Sequence, residues 1–386
     1  MLPNHYILSA KKIALKDRVV SGYGVEVLGE KIVSVDRLEK LSKKIPHFTL
    51  SDNETLLPGF IDLHIHGSQG FDVMDQKKES LEAISQSLLN QGVCGFLATT
   101  MTAAKENIEK TLKVIGETKS NSDKVDNLLG VHLEGPFINE KYMGAQNAKF
   151  IQKPQVELFK SWQKLSGNLI KQLTIAPEVD GALDLIEALK DENMILSAGH
   201  CAATCKIAQN SFEKGISHVT HLYNAMSGVH HREPGLATAV LLDEKVSAEL
   251  IVDRIHLSDE IISLTVKVLG KDRIILITDA MCAQGLGEGE FSLGGQKVLV
   301  KNNQARLLNG TLAGSVLSMN MAIKNMIKAS GVSFEDAILM ASLNPAKKLK
   351  LSDQYGSIEA KKYANFTVMN ENFEIKKTFI KGRGSL

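Results

Sequence analysis

Along most of the chain, short runs of apolar residues alternate with longer stretches in which apolar residues recur every three or four positions. The runs come in the order LLPGFIDLHIH, VCGFLATTM, LLGVHLEGPF, IKQLTIAPE, MILSAGH, ISHVTHLYN, VSAELIVD and RIILITDAM, eight in all. A continuously apolar run suits a parallel strand buried on both faces, and the amphipathic stretches, such as residues 78–91 and 334–343, suit the helices that cover it. Eight such units predict an α/β fold, a (β/α)8 barrel of the TIM type. The chain ends differ. Residues 6–35 and 355–381 alternate in short apolar pieces broken by Gly, Lys and Asp, which predicts antiparallel hairpins. We expect both ends to meet in one small β-sandwich domain, residues 1–57 with 351–386, and the barrel to occupy 58–350. A β-hairpin insertion is expected at about 290–311, most clearly over 302–311, and residues 382–386 read as a tail.

Composition narrows the class. The 386 residues are 44% hydrophobic but only 5% aromatic, the aliphatic balance of a globular enzyme with a parallel-strand core. Forty-five Lys and Arg against 44 Asp and Glu leave a charge of +1, so no global basic field gathers nucleic acid or a membrane surface, and an anionic ligand must be held locally. The opening MLPNHYILSAKKIALKD interrupts its apolar residues too often for a signal peptide, and no run approaches the roughly 18 apolar residues of a membrane span. Cys94, Cys201, Cys205 and Cys282 show no paired spacing, which fits reduced thiols in a cytoplasm; Cys201 and Cys205 read as small core residues rather than metal ligands.

The candidate chemistry sits at the strand ends. Residues two apart in a strand share a face, so Asp62, His64 and His66 of FIDLHIHG point the same way, which at a barrel mouth is inward. Glu134 closes LLGVHLE, His200 closes MILSAGH, His221 closes ISHVTH and Asp279 closes RIILITD. Burying so many ionisable groups without a cation is costly. Zn, Fe(II) and Mn all accept imidazole and carboxylate, and four His with two carboxylates exceed the needs of one tetrahedral ion. One or two divalent ions per subunit are expected, with Glu134 bridging a pair. His132 and His218 read as supporting residues rather than ligands.

The motifs PGFIDLHIHG, HLEGPF, SAGH, HLYNAM, REPGL, TDAM and TLAGS, in this order, resemble the N-acetylglucosamine-6-phosphate deacetylases of the amidohydrolase superfamily over nearly the whole chain. HxH and a final-strand Asp are common to the superfamily, whereas HLEGPF, HLYNAM and REPGL are narrower. Relatives such as dihydroorotases and hydantoinases bridge their metals with a carboxylated lysine on the fourth strand; here that strand ends in TIAPE, which leaves the bridging place to Glu134. The resemblance implies that Arg232, with Asn224 and the backbone of Ala225, holds the substrate phosphate, that His256 contacts the sugar, and that Gln146, Ala313 and Gly314 belong to the substrate site. Gly314 either lets backbone approach the acetyl group or marks a helix-entry turn capped by Ser315. Two positions depart from the pattern: Gln146 stands where some relatives have His, and Arg254 where Gly is usual. The resemblance also implies a homodimer, with the phosphate pocket completed by loop residues such as His230 or His231.

The expected reaction is hydrolysis of the acetamido group of N-acetylglucosamine 6-phosphate to glucosamine 6-phosphate and acetate, in amino-sugar catabolism and recycling. Asp279 would take the proton of a metal-activated water and later deliver it to the departing nitrogen. Another amidohydrolase, acting on an N-acetyl amino acid or a cyclic amide, would not need Arg232. A noncatalytic sugar-phosphate-binding barrel would have no use for Asp279 beside such a water.

Overall fold

The computed structural model describes residues 2–384. Eight parallel strands pair in chain order: β1 (Phe60–Ile65), β2 (Val93–Thr99), β3 (Leu128–Glu134), β4 (Ile170–Ile175), β5 (Ile195–Ala198), β6 (His218–Val219), β7 (Ser247–Ile251) and β8 (Ile274–Ile277). Nearly every strand residue is buried, which is why the runs are aliphatic throughout instead of alternating. The sheet closes at its C-terminal rim, where Asp279 N donates to His64 O and His66 N to Ala280 O, both at 2.8 Å. That closure joins the first and last strand ends, so a His-x-His from one faces an Asp from the other.

Helices alternate with the strands outside the barrel, beginning with Lys78–Asn90. The helix expected over 334–343 stops at Ala341, and a second, Leu343–Lys348, follows. Pro345 has no N–H to offer the Ala341 carbonyl, so one continuous helix is not available there.

Residues from both chain ends form two further sheets. One contains His5–Ser9, Tyr23–Leu28, Lys31–Arg37 and His47–Thr49; the other contains Lys12–Ala14, Val19–Val20, Glu54–Pro58, Phe366–Asn370 and Ile375–Phe379. Tyr6, Leu8, Ile13, Val25, Leu56, Phe366, Val368 and Phe379 share one buried core between them. Phe366–Asn370 lies antiparallel to Glu54–Pro58, which runs across Gly59 straight into β1. Residues 382–384 are not a free tail: Tyr6 Oη donates to Gly382 O at 3.0 Å and Gly382 N to Ala364 O at 2.9 Å. Ser385 and Leu386 lie outside the described residues.

The expected hairpin is a three-stranded antiparallel sheet, Gly289–Leu293, Gln296–Lys301 and Gln304–Leu307. Leu293, Val298, Val300, Ala305 and Leu307 pack with Met101 and Met281 at the barrel mouth. Its return segment is stitched to β8, since Ala313 N donates to Ala305 O at 3.0 Å and Ser315 N to Asp279 O at 2.7 Å. The described residues include no helix long and apolar enough to cross a membrane. All four cysteines are unpaired, with Cys201 buried and Cys205 half-buried.

Candidate metal centre and active site

The structure brings His64, His66, Glu134, His200, His221 and Asp279 together at the C-terminal rim of the barrel. Glu134 lies at their centre. Its Oε1 is 3.4 Å from His64 Nε2, 3.2 Å from His200 Nε2 and 3.2 Å from His221 Nε2, while Oε2 is 3.3 Å from His66 Nε2. Asp279 Oδ1 lies 3.2 Å from His66 Nε2 and 3.5 Å from His64 Nε2. Three buried groups with metal-ligand spacing result: His64–His66–Asp279 and Glu134–His200–His221 at the mouth, and His64–His132–Glu249, which shares His64 with the first. His200, His221 and Asp279 adopt left-handed φ of 47°, 30° and 49°. Non-glycine residues there cost about 1–3 kcal/mol each, so these turns persist only because neighbours hold them. The holding bonds are visible: His221 N donates to Glu249 Oε2 at 3.2 Å, Asp279 N donates to His64 O in the barrel closure, and Asp279 O accepts from Ser315 N.

For three of the four imidazoles, the hydrogen-bond partner of the outer ring nitrogen sets which nitrogen faces inward. His64 Nδ1 is 3.0 Å from Glu249 Oε2, His66 Nδ1 is 3.3 Å from Thr99 O, and His200 Nδ1 is 2.9 Å from Tyr142 O. Each partner is an acceptor, so Nδ1 keeps a proton and Nε2 is the nitrogen left to offer a lone pair to a metal. These nitrogens meet in two close pairs, His64 Nε2 with His66 Nε2 at 3.3 Å and His200 Nε2 with His221 Nε2 at 3.1 Å. Lone pairs converging on two buried carboxylates require positive charge, and these residue types are the ligands of a divalent ion.

The same demand appears in the titration of the metal-free groups. Burial opposes a charge on His64, yet Glu134 and Asp279 hold it well above the usual imidazole range. Against the same penalty, Asp279 and Glu134 push His66 up to about 9. Burial alone would raise Glu134, but His64, His200 and His221 hold it well below the usual carboxylate range. Asp279 is likewise lowered against burial, by His64 and His66, and stays a carboxylate.

Glu249, on β7, is the residue that sequence reasoning missed. It is fully buried, and besides His64 and His221 it accepts from Gln172 Nε2 at 2.6 Å and lies 3.3 Å from His218 Nε2. Its signal was a single carboxylate inside the apolar run SAELI, a burial that is unfavourable unless the charge is paired. His132 is neutral, pushed down to about 3 by burial beside His64, and its Nε2 meets Thr174 Oγ1 at 2.7 Å. Asp62 sits below the metal groups: it accepts from Thr278 Oγ1 at 2.5 Å and from His64 N at 3.2 Å, tying β1 to β8, and burial pushes it up to about 7.

A cleft of about 360 Å³ opens over the metal groups, lined among others by Gln146, Asn224, Ala225, His256 and Gly314. Gln146 spends its amide on the centre itself, donating to Glu134 Oε2 at 2.8 Å and accepting from Thr102 N at 2.7 Å. His256 Nδ1 is held 2.7 Å from Asp253 Oδ2. Arg254 has φ of 63°, which explains why a glycine suits that position; here a two-bond contact with Asp259, at 2.6 and 2.5 Å, fixes the arginine instead. Gly314 has φ of 62°, and a Cβ on it would lie 2.9 Å from Asp279 O. Ser315 is not a helix cap: its hydroxyl donates to Thr278 O at 2.6 Å, and the helix Met319–Ser330 starts from Ser318. Ala313 is buried under the inserted sheet and lines no part of the cleft. Arg232 also stands away from it, exposed on its loop with Nη1 donating to His231 Nε2 at 2.8 Å.

Glu249→Ala would leave His64, Gln172 and His218 without their shared acceptor in the barrel interior. We expect a loss of about 3–5 kcal/mol in the unfolding free energy of the metal-free protein, the range for breaking one partner out of a buried charged network. Glu249→Gln, which keeps the volume and one acceptor oxygen, is expected to lose less. Chemical denaturation checks both; an Ala variant as stable as the parent would show that the network does not support the barrel.

Comparison with known proteins agrees with this geometry. The Amidohydrolase family profile matches residues 55–384. The N-acetylglucosamine-6-phosphate deacetylase of Lysinibacillus sphaericus is 40% identical over 328 residues, 85% of this chain and 84% of that protein. The Bacillus subtilis (strain 168) protein of the same name is 41% identical over 333 residues, 86% of this chain and 84% of the relative. Among solved structures, N-acetylglucosamine-6-phosphate deacetylase from Pasteurella multocida superposes with a TM-score of 0.93 at 30% identity, covering 99% of both chains. A metal-ligand set gathered from five strand ends, a closed barrel and relatives matched over most of their length place this chain in the amidohydrolase family, among its N-acetylglucosamine-6-phosphate deacetylases.

Proposed function

We propose that the protein hydrolyses the acetamido group of N-acetylglucosamine 6-phosphate, giving glucosamine 6-phosphate and acetate. The observation that carries this reading is Asp279, a carboxylate kept in its basic form by His64 and His66, lining a cleft beside two groups of metal donors. His64, His66 and Asp279 would hold one divalent ion, Glu134, His200 and His221 the other, with Glu134 shared between them. Zn, Fe(II) and Mn all suit these donors. Such a cation makes water more acidic and polarises the acetyl carbonyl.

The chain's own groups do the rest. Asp279 accepts the proton of the attacking water and returns it to the sugar nitrogen as the C–N bond breaks, so one carboxylate serves first as base and then as acid. Gln146 fixes the Glu134 carboxylate by a hydrogen bond to Oε2. Asn224 and the Ala225 backbone line the cleft, and His256, oriented by Asp253, is placed to donate to a sugar or phosphate oxygen. The inserted sheet covers one side and limits water.

The exposed loop carrying Arg232 supports a homodimeric arrangement in which this arginine serves the neighbouring protomer's phosphate. Among the described residues no carboxylate lies within 4.0 Å of it, so its charge is free for such a contact.

Acetate and glucosamine 6-phosphate measured in equal amounts from N-acetylglucosamine 6-phosphate test the reaction; no acetate from a metal-loaded sample would reject it. Asp279→Asn keeps size and an oxygen for the metal but loses the basicity. We expect kcat to fall at least about 100-fold, with metal content and substrate binding retained. A metal-replete Asn variant near the parental rate would remove Asp279 from the proton path. For the dimer, Arg232→Ala is expected to raise KM for the phosphorylated sugar without dissociating the protein in sedimentation; unchanged KM would show that this loop does not read phosphate.

A further inference from the structure

Apart from Arg306, the ionisable groups lining the cleft are the metal-site carboxylates and imidazoles and His256, so Arg306 is the one permanent cation among its described lining residues. It belongs to the last strand of the inserted sheet, Gln304–Leu307, and lines the cleft with Gly310, Thr311 and Leu312. Its guanidinium is held without being neutralised: Nε donates to Gln304 Oε1 at 2.9 Å and Nη1 to Gly310 O at 2.6 Å, both uncharged acceptors. No Asp or Glu lies within salt-bridge distance of it among the described residues, whereas Arg254 is tied to Asp259 and Arg383 to Asp126.

The inserted sheet also fixes where this charge sits. Arg306 bridges Leu312 across the return segment, Leu307 N donates to Thr311 O at 2.8 Å, and Ala313 N donates to Ala305 O at 3.0 Å. Two residues further on, Ser315 N donates to the backbone carbonyl of Asp279 at 2.7 Å. A short run of paired backbone therefore links the cation to the carboxylate assigned the proton transfer. A guanidinium so positioned, with N–H groups still unused, is suited to the oxygens of a phosphate monoester, which it binds through charge-assisted bonds.

We propose that Arg306 is a specificity-determining residue, which takes the phosphate end of the substrate from within the same chain and so selects phosphorylated over unphosphorylated sugars. This rests on the deacetylase reading above and adds to it a phosphate contact built into the inserted sheet. Arg232, exposed and away from the cleft, is then a second and separate contributor.

The test compares KM and kcat of the metal-loaded parent, Arg306→Ala and Arg306→Lys on N-acetylglucosamine 6-phosphate and on N-acetylglucosamine. The Ala variant is expected to raise KM for the phosphorylated sugar about tenfold or more beyond any change on the unphosphorylated one, as loss of a charge-assisted contact predicts. The Lys variant should recover part of that discrimination, because it restores the charge without the planar fork. The parent's KM for the phosphorylated sugar should also rise with added salt, more steeply than that of the Ala variant. Equal losses on both sugars, or no loss, would overturn the proposal while leaving the deacetylase reading intact. A parent inactive on both sugars would instead reject the reading on which the proposal rests.

Discussion

The site depends on one electrostatic constraint: imidazole lone pairs and two carboxylates are buried around a common point, and that point requires a cation. Glu134 is the hub, with its two oxygens divided among four histidines. Charges removed from water are tolerated only when paired, and a carboxylate at this depth would otherwise take up a proton and lose its use as a ligand. Protons on His64 and His66 meet the demand in the metal-free protein; a divalent ion meets it with the geometry that imidazole and carboxylate prefer.

The surrounding structure serves to aim these groups. Glu249, Thr99 O and Tyr142 O each take an Nδ1 proton, so three histidines turn their other nitrogen inward. Left-handed turns at His200, His221 and Asp279 bring side chains from the ends of three strands to one place, and bonds from Asn139 N, Glu249 and the barrel closure respectively keep them there. Strain at three of the site's own residues is what pre-organisation of a reactive site looks like. The barrel's aliphatic core supplies the rigidity, and the inserted sheet shapes the cleft.

The barrel was legible because strands buried on both faces must be apolar throughout, and the polar residue that ends each run stands out against it. His64, His66, Glu134, His200, His221 and Asp279 were visible for that reason. Glu249 was not, since nothing in SAELI marks which way a strand residue faces or that three donors await it from β1, β4 and β6. Loop directions were also hidden: REPGL identifies Arg232 as an anion-binding type of residue, but not that its side chain turns to His231 and away from the cleft. Arg306 belongs to no motif, and its position follows only from strand pairing in the inserted sheet. Of the two roles open for the Gly314–Ser315 turn, the helix entry is excluded because the next helix begins only at Met319, after Ser318.

Anomalous diffraction from crystals of the protein grown with cobalt(II) tests the central constraint most directly. The donor arrangement predicts metal peaks in one or both groups, bounded by His64, His66 and Asp279 and by Glu134, His200 and His221, with Glu134 contacting every ion present. Crystals of active protein in which cobalt sits elsewhere, or in which these six side chains surround only water, would contradict it.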